Sequence, residues 1–180
     1  MVGTMTLQRP TPPHPHEHLP AAPGELQVTS EDFEDGGPLP EWAGFGFGNT
    51  SPQLSWSGAP EGTRSYLVVC HDPDAPVIGG FHHWAVLGVP ADVTSLDRGA
   101  GSFGQQIGGG AVMLANDYGT RDYGGCAPPE GDRPHRYVFT VWALDTDNTG
   151  LDAGTSVAKA QFSTLGNVLA RGSITGTYQL

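Results

Sequence analysis

The chain has 180 residues, 37% of them hydrophobic, and sets 8 Lys and Arg against 19 Asp and Glu for a formal net charge of -11. That balance excludes a nucleic-acid binder, whose affinity rests on clustered basic side chains, and disfavours docking on an anionic bilayer. The length suits one domain with a real core, no run of about 18 apolar residues offers a membrane span, and 27 Gly and 16 Pro interleaved with apolar runs read as a turn-rich all-β protein.

The opening "MVGTMTLQRPTPPHPHEHLP" lacks the apolar stretch of a secretory signal. Two cysteines, Cys70 and Cys126, are too few for a disulfide framework and lack metal-site spacing. Cys70 reads as a buried small hydrophobe and Cys126 as a loop thiol. Free thiols suit a reducing compartment, so a cytoplasmic location is the expectation. Residues 1–25 hold six prolines and the alternating His14, His16 and His18 without an apolar period. They read as an extended or disordered, solvated arm, because burial there cannot offset the entropy of ordering. Alternating histidines can hold a metal, but nothing nearby completes a shell, so neither metal nor other cofactor is expected.

From Leu26 to Leu180 short apolar runs alternate with turn signals, which marks one domain. "ELQVTS" alternates, and "RSYLVVC" and "HWAVLGVP" are apolar on both faces, as strands covered on both sides must be. The glycine-dense segment 99–134 is too long for an ordinary loop and is expected to be functional, with "AVMLA" at its centre a candidate short strand. "HRYVFTVWALD" is the strongest strand, with Tyr137, Phe139, Val141 and Ala143 on one face and Val138, Thr140, Trp142 and Leu144 on the other. Near the end Ser156 is a candidate N-cap for a short helix whose face would carry Val157, Phe162, Leu165 and Leu169, before a closing strand "ITGTY".

Three polar clusters sit at the ends of these runs. His71, Asp72 and Asp74 follow the first, His82 and His83 precede the second, and His135, Arg136 and Tyr137 open the third. In a sandwich, strand ends gather at two rims, and three such clusters at one rim would make a pocket. Each has a plainer reading. Asp74 caps a proline-rich turn, His82 is a rim or surface residue, Arg136 pairs with Asp122 or Asp132, and Trp84 packs.

The ordered motifs "DPDAP", "FHHWAV", "ANDYG", "PPEGDRPHRYVFTVWALD" and the terminal "GTY" resemble the phosphatidylethanolamine-binding protein family, in its bacterial Raf-kinase-inhibitor-like branch. The resemblance runs from about Leu26 to Leu180. It implies a sandwich of two antiparallel sheets with one or two short helices near the C-terminus, and a small pocket for phosphate-like groups or phospholipid headgroups. The residues it marks are Asp72 and Asp74, His83 and Trp84, the loop from Tyr123 through Gly125 and Ala127 to Pro129, and His135 with Tyr137. It also implies a binding and regulatory role, not an enzyme, toward a protein partner such as a kinase or a protease.

The chemistry of these residues is compatible with that role. A buried carboxylate repels phosphate, so Asp72 would serve an anion indirectly, by holding an imidazole oriented. Main-chain amides of the glycine-rich loop can add donors, and Tyr123 and Tyr137 a hydroxyl and an apolar wall. "GGCAPP" places a Cβ at Ala127 that would restrict the backbone near the pocket. The preferred reading is a soluble binding protein for a small phosphorylated or phosphate-like ligand, with edge strands and the arm making a homodimer reasonable. The alternative is an Asp/His hydrolase, metal-assisted or not, although neither GxSxG nor HExxH is present.

Overall fold

The computed structural model describes residues 6–180. In chain order its strands are β1 (Gly24–Glu25), β2 (Gln27–Thr29), β3 (Leu54–Ser57), β4 (Ser65–Asp72), β5 (Phe81–Pro90), β6 (Ser95–Leu96), β7 (Val112–Met113), β8 (His135–Leu144) and β9 (Val168–Tyr178). One α-helix, α1 (Val157–Thr164), lies before the last strand. The strands form a six-stranded sheet in the order β1-β9-β8-β4-β5-β7 and a three-stranded sheet in the order β2-β3-β6. The expectation of two antiparallel sheets needs one correction, because β1 pairs with β9 in parallel. Gly24 and Glu25 enter alongside β9 before the chain leaves for the other sheet, so they cannot form a hairpin with it.

Alternation along β8 explains how the layers meet. Tyr137, Phe139, Val141 and Ala143 join one buried cluster with Val28, Leu54 and Trp56 of the small sheet. Trp142 and Leu144 point the other way and join Leu67, Val69, Val157 and Ala160, the last two from α1. Burying each large apolar side chain stabilises the fold by roughly 1.5–3 kcal/mol, so β8 and its neighbour β4 are the energetic centre. Both are buried along nearly their whole length.

Ser156 caps α1, its Oγ accepting from the Lys159 amide at 3.2 Å. The helical face differs from expectation. The helix ends at Thr164, whose hydroxyl donates back to the Ala160 carbonyl at 2.9 Å. Val157 and Ala160 are buried, whereas Phe162 and Leu165 are exposed and Leu169 already belongs to β9. The closing strand is correspondingly longer than "ITGTY". Its inward positions include Ala170, Gly172 and Gly176, which carry too little apolar side chain to register as a period of two.

The N-terminal arm is extended from Thr6, apart from one 3-10 turn at Pro15–His18, and it is held against the domain instead of solvated. Arg133, Arg136 and Arg171 donate to the carbonyls of Arg9, Pro12 and Pro20 at 2.7, 2.7 and 3.2 Å. His16 meets Thr140 of β8 at 2.9 Å, and burial lowers its pKa to about 4. Backbone acceptors gripped by guanidinium groups replace the apolar burial that the arm's sequence lacks. Among the described residues no helix is long and apolar enough to cross a membrane.

Gly172 shows how closely the layers approach. A Cβ there would collide with the carbonyl of Leu26, between β1 and β2. Gly172→Ala should therefore lower stability by about 1–3 kcal/mol, read as a lower urea midpoint with unchanged slope.

Candidate functional site

The loop after β4 has few backbone donors, because Pro73 and Pro76 have no N–H. The two amides between them, on Asp74 and Ala75, both donate to Asp72 Oδ1, at 2.8 and 3.0 Å. The prolines thus leave one carboxylate as the acceptor for the whole turn, an Asx-turn that fixes its rotamer. Its other oxygen, Oδ2, is aimed inward and accepts from His135 Nδ1 at 2.8 Å.

His135 opens β8 and is 1% exposed. Its Nε2 faces Asp132 Oδ2 at 2.9 Å, so carboxylates hold both ring nitrogens. Burial opposes the charged imidazole, but the hydrogen bonds to Asp72 and Asp132 outweigh it and raise the pKa above the ordinary value. Asp132 in turn accepts from Arg9 at 2.7 Å, and hydrogen bonds from Arg9 and then His135 hold its carboxyl well below the usual range.

His83 reaches the same side of the sheet through an irregularity in β5. Cys70 pairs with Trp84 and His71 with His82, which leaves His83 as an extra residue in the ladder. This β-bulge turns His83 inward with Trp84, where strict alternation would have sent one of them outward. His83 Nδ1 donates to the carbonyls of Gly124 and Gly125 at 2.7 and 3.1 Å, which fixes the tautomer and leaves Nε2 without a hydrogen-bond partner among the described residues. Burial lowers its pKa, and the carbonyls only partly restore it, so the ring is neutral near pH 7.

Aromatic rings wall this imidazole. Its centroid lies 5.1 Å from Tyr137, 4.9 Å from Phe81 and 5.7 Å from Tyr118, and Tyr118 stacks on the exposed Phe45 at 4.9 Å. The Tyr137 hydroxyl is buried without a hydrogen-bond partner among the described residues. Burial pushes that phenol far above its ordinary pKa and moves Tyr118 up to about 12, so both stay protonated donors.

The structure brings Asp72, His83, Gly125, His135 and Tyr137 into one cluster and gives other candidates different work. Asp74 accepts from the backbone, Nε and NH2 of Arg136 at 2.9, 2.7 and 3.0 Å, so it anchors the turn, and Arg136 pairs with it instead of with Asp122 or Asp132. Trp84 is fully buried against Tyr123. Tyr123 commits its hydroxyl to the Ala43 carbonyl at 3.0 Å and is not a free donor. Cys126 is buried beside it at 3.7 Å, not an accessible loop thiol, and burial drives its pKa up. Ala127 is exposed and Pro129 half-buried, and neither hydrogen-bonds to the cluster. His82 sits at the rim with Asp117, as its plainer reading had it.

Sequence reasoning missed Asp132, Arg9 and Tyr118. Asp132 stands three residues before His135 in "GDRPHRY", where it reads only as a candidate partner of Arg136, and Tyr118 lies in "ANDYG" as a motif member without a role. Nothing local marks Arg9. A separate cavity of about 620 Å³ lies between the arm and the loop after β4, lined by Leu7, Pro13, Val77 and Ile78 among others. Its mainly apolar walls make it a poor seat for an anion, so the polar cluster is the candidate site.

Comparison with known proteins places the fold and the family. The family model described as phosphatidylethanolamine-binding protein matches residues 29–179. The chain is 44% identical over 161 residues to UPF0098 protein YbcL of Escherichia coli K12, covering 86% of this chain and 88% of that protein. It is 40% identical over 158 residues to UPF0098 protein YbhB of the same organism, covering 85% and 99%. The crystal structure of E. coli YbcL, described as a new member of the mammalian PEBP family, superposes with a TM-score of 0.83 at 42% identity, covering 87% of this chain and 99% of that one.

The two buried histidines should titrate on opposite sides of the ordinary value of 6.5, His135 above it and His83 below, in histidine-resolved NMR. Because the folded pKa of His135 is raised, its stabilising contribution is full below pH 6.5 and fades as pH climbs through the folded value. The stability gap between wild type and His135→Gln in urea should accordingly shrink from pH 6 toward pH 9, the gap being the quantity to measure.

Proposed function

The chain belongs to the phosphatidylethanolamine-binding protein family, and from that premise we propose that it is a binding protein whose site takes a phosphate-like oxyanion, free or as a phosphorylated headgroup. One observation carries the proposal. Among the described residues Tyr137 holds a buried hydroxyl without a partner, beside a His83 whose Nδ1 is committed and whose Nε2 is unpartnered. An unmade buried hydrogen bond costs about 1–3 kcal/mol, which a ligand oxygen would offset. The pair offers one donor and one acceptor, matched to an oxyanion that keeps a proton, such as hydrogen phosphate. The anion would reach them past Tyr118, and below its pKa His83 would become a second donor, so binding strengthens as pH falls.

The same reading takes the two sheets as layers of a sandwich with the site at one rim, in a cytoplasmic setting where Cys70 and Cys126 stay reduced. A regulated protein partner would meet the exposed ring of Phe45 and the half-covered Tyr118 beside the site. The hydrolase alternative needs a carboxylate and an imidazole free to act together on a substrate. In the cluster only His83 keeps a free nitrogen among the described residues, whereas Asp72 is held by the turn amides and His135, Asp74 by Arg136, and His135 by carboxylates on both nitrogens, which favours binding over catalysis.

Calorimetric titration with phosphate and phosphoethanolamine should give saturable heat that His83→Ala abolishes. Tyr137→Phe should weaken affinity by roughly tenfold without lowering the urea midpoint, since it removes an unpartnered buried hydroxyl and no hydrogen bond among the described residues. Silence with both ligands, or undiminished binding by His83→Ala, would remove the proposal.

A further inference from the structure

The arm supplies a cation to the buried charge network. Arg9 NH2 donates to Asp132 Oδ2 at 2.7 Å, donates to the Asp74 carbonyl, and stands 3.3 Å from His135 Nε2. Its NH1 donates to the Leu7 carbonyl at 2.6 Å, which fixes the guanidinium in place. Around His135 the charged groups are therefore Asp72 from β4, Asp132 from the loop before β8, and Arg9 from the arm. Arg133 is directed to the Arg9 carbonyl and to Asp74, not to His135. The family similarity begins at residue 29, so Arg9 stands outside what it covers.

We propose that Arg9 is a positioning residue of the anion site, and that the arm is a working part of that site. This rests on the oxyanion reading of His83 and Tyr137. With His135 protonated, the two carboxylates are matched by two cations and the network is neutral. Removing Arg9 leaves Asp72 and Asp132 with one cation, His135, between them and a net charge of one negative unit. His135 and Tyr137 are next but one on the same face of β8, their Cα atoms about 7 Å apart, so the network is carried on the strand that also carries the phenol donor. An incoming oxyanion would meet net negative charge. Arg9 thus favours the ligand without touching it, by neutralising Asp132 and keeping His135 turned onto Asp72.

The test is calorimetric titration of inorganic phosphate into the full-length protein and its R9Q, R9K and R9Q/D132N variants, with the His135 pKa followed by NMR. R9Q should bind phosphate roughly tenfold more weakly, the worth of one lost charge pair, and its His135 pKa should rise by about one unit. R9K should keep most of the affinity. D132N added to R9Q should restore binding toward wild type, because the uncompensated charge is then gone. A purely structural loss of the arm would leave the double variant as weak as R9Q, and that result overturns the proposal. So does wild-type affinity in R9Q. If wild-type protein binds no phosphate, the oxyanion reading fails and this proposal falls with it, whereas wild-type affinity in R9Q, or an unchanged His135 pKa there, overturns the role of Arg9 alone.

Discussion

The hydrogen bond between Asp72 and His135 is the constraint on which the site depends. It joins the end of β4 to the start of β8, the two most buried strands, at the point where both run out toward solvent. A carboxylate and an imidazole could not remain there unpaired, since each would carry the desolvation penalty of a buried charge alone. Together they close the sheet end, and each passes its spare capacity onward. Asp72 orders the loop after β4 through its other oxygen, and His135 engages Asp132 through its other nitrogen.

Around that bond the fold separates two kinds of polar group. Asp74, Arg136, Asp132 and Arg9 form pairs that cancel one another and hold backbone in place. His83 and Tyr137 are left with hydrogen-bonding capacity unspent among the described residues, beside aromatic rings. A protein with a net charge of -11 thus cancels its charges locally around these two groups. Fields from the distant carboxylates are screened over about 10 Å at ordinary ionic strength, whereas contacts at hydrogen-bond distance are not.

Much of this was legible in the residues. Alternation in "HRYVFTVWALD" assigned the faces of β8, and the polar ends of three apolar runs marked Asp72, His83 and His135, of which the structure joins Asp72 to His135 directly. What stayed hidden was long-range. Small inward residues concealed the length of β9, and the partner of Arg136 is neither of its two sequence candidates but Asp74, a choice that only the loop path decides. Arg9 lies 126 positions from His135, in a segment whose composition signals no burial. The arm is ordered by hydrogen bonds to its carbonyls, and main-chain acceptors leave no imprint on side-chain patterning.

The bulge in β5 has a consequence for how the protein stores its chemistry. Recognition is encoded in the count of residues between Phe81 and Trp84 as much as in their identity. Trimming one residue from that run would restore a regular ladder, yet it would leave room for a single inward side chain where two now stand. The spare residue is a spelling irregularity that the fold preserves because the meaning sits in it.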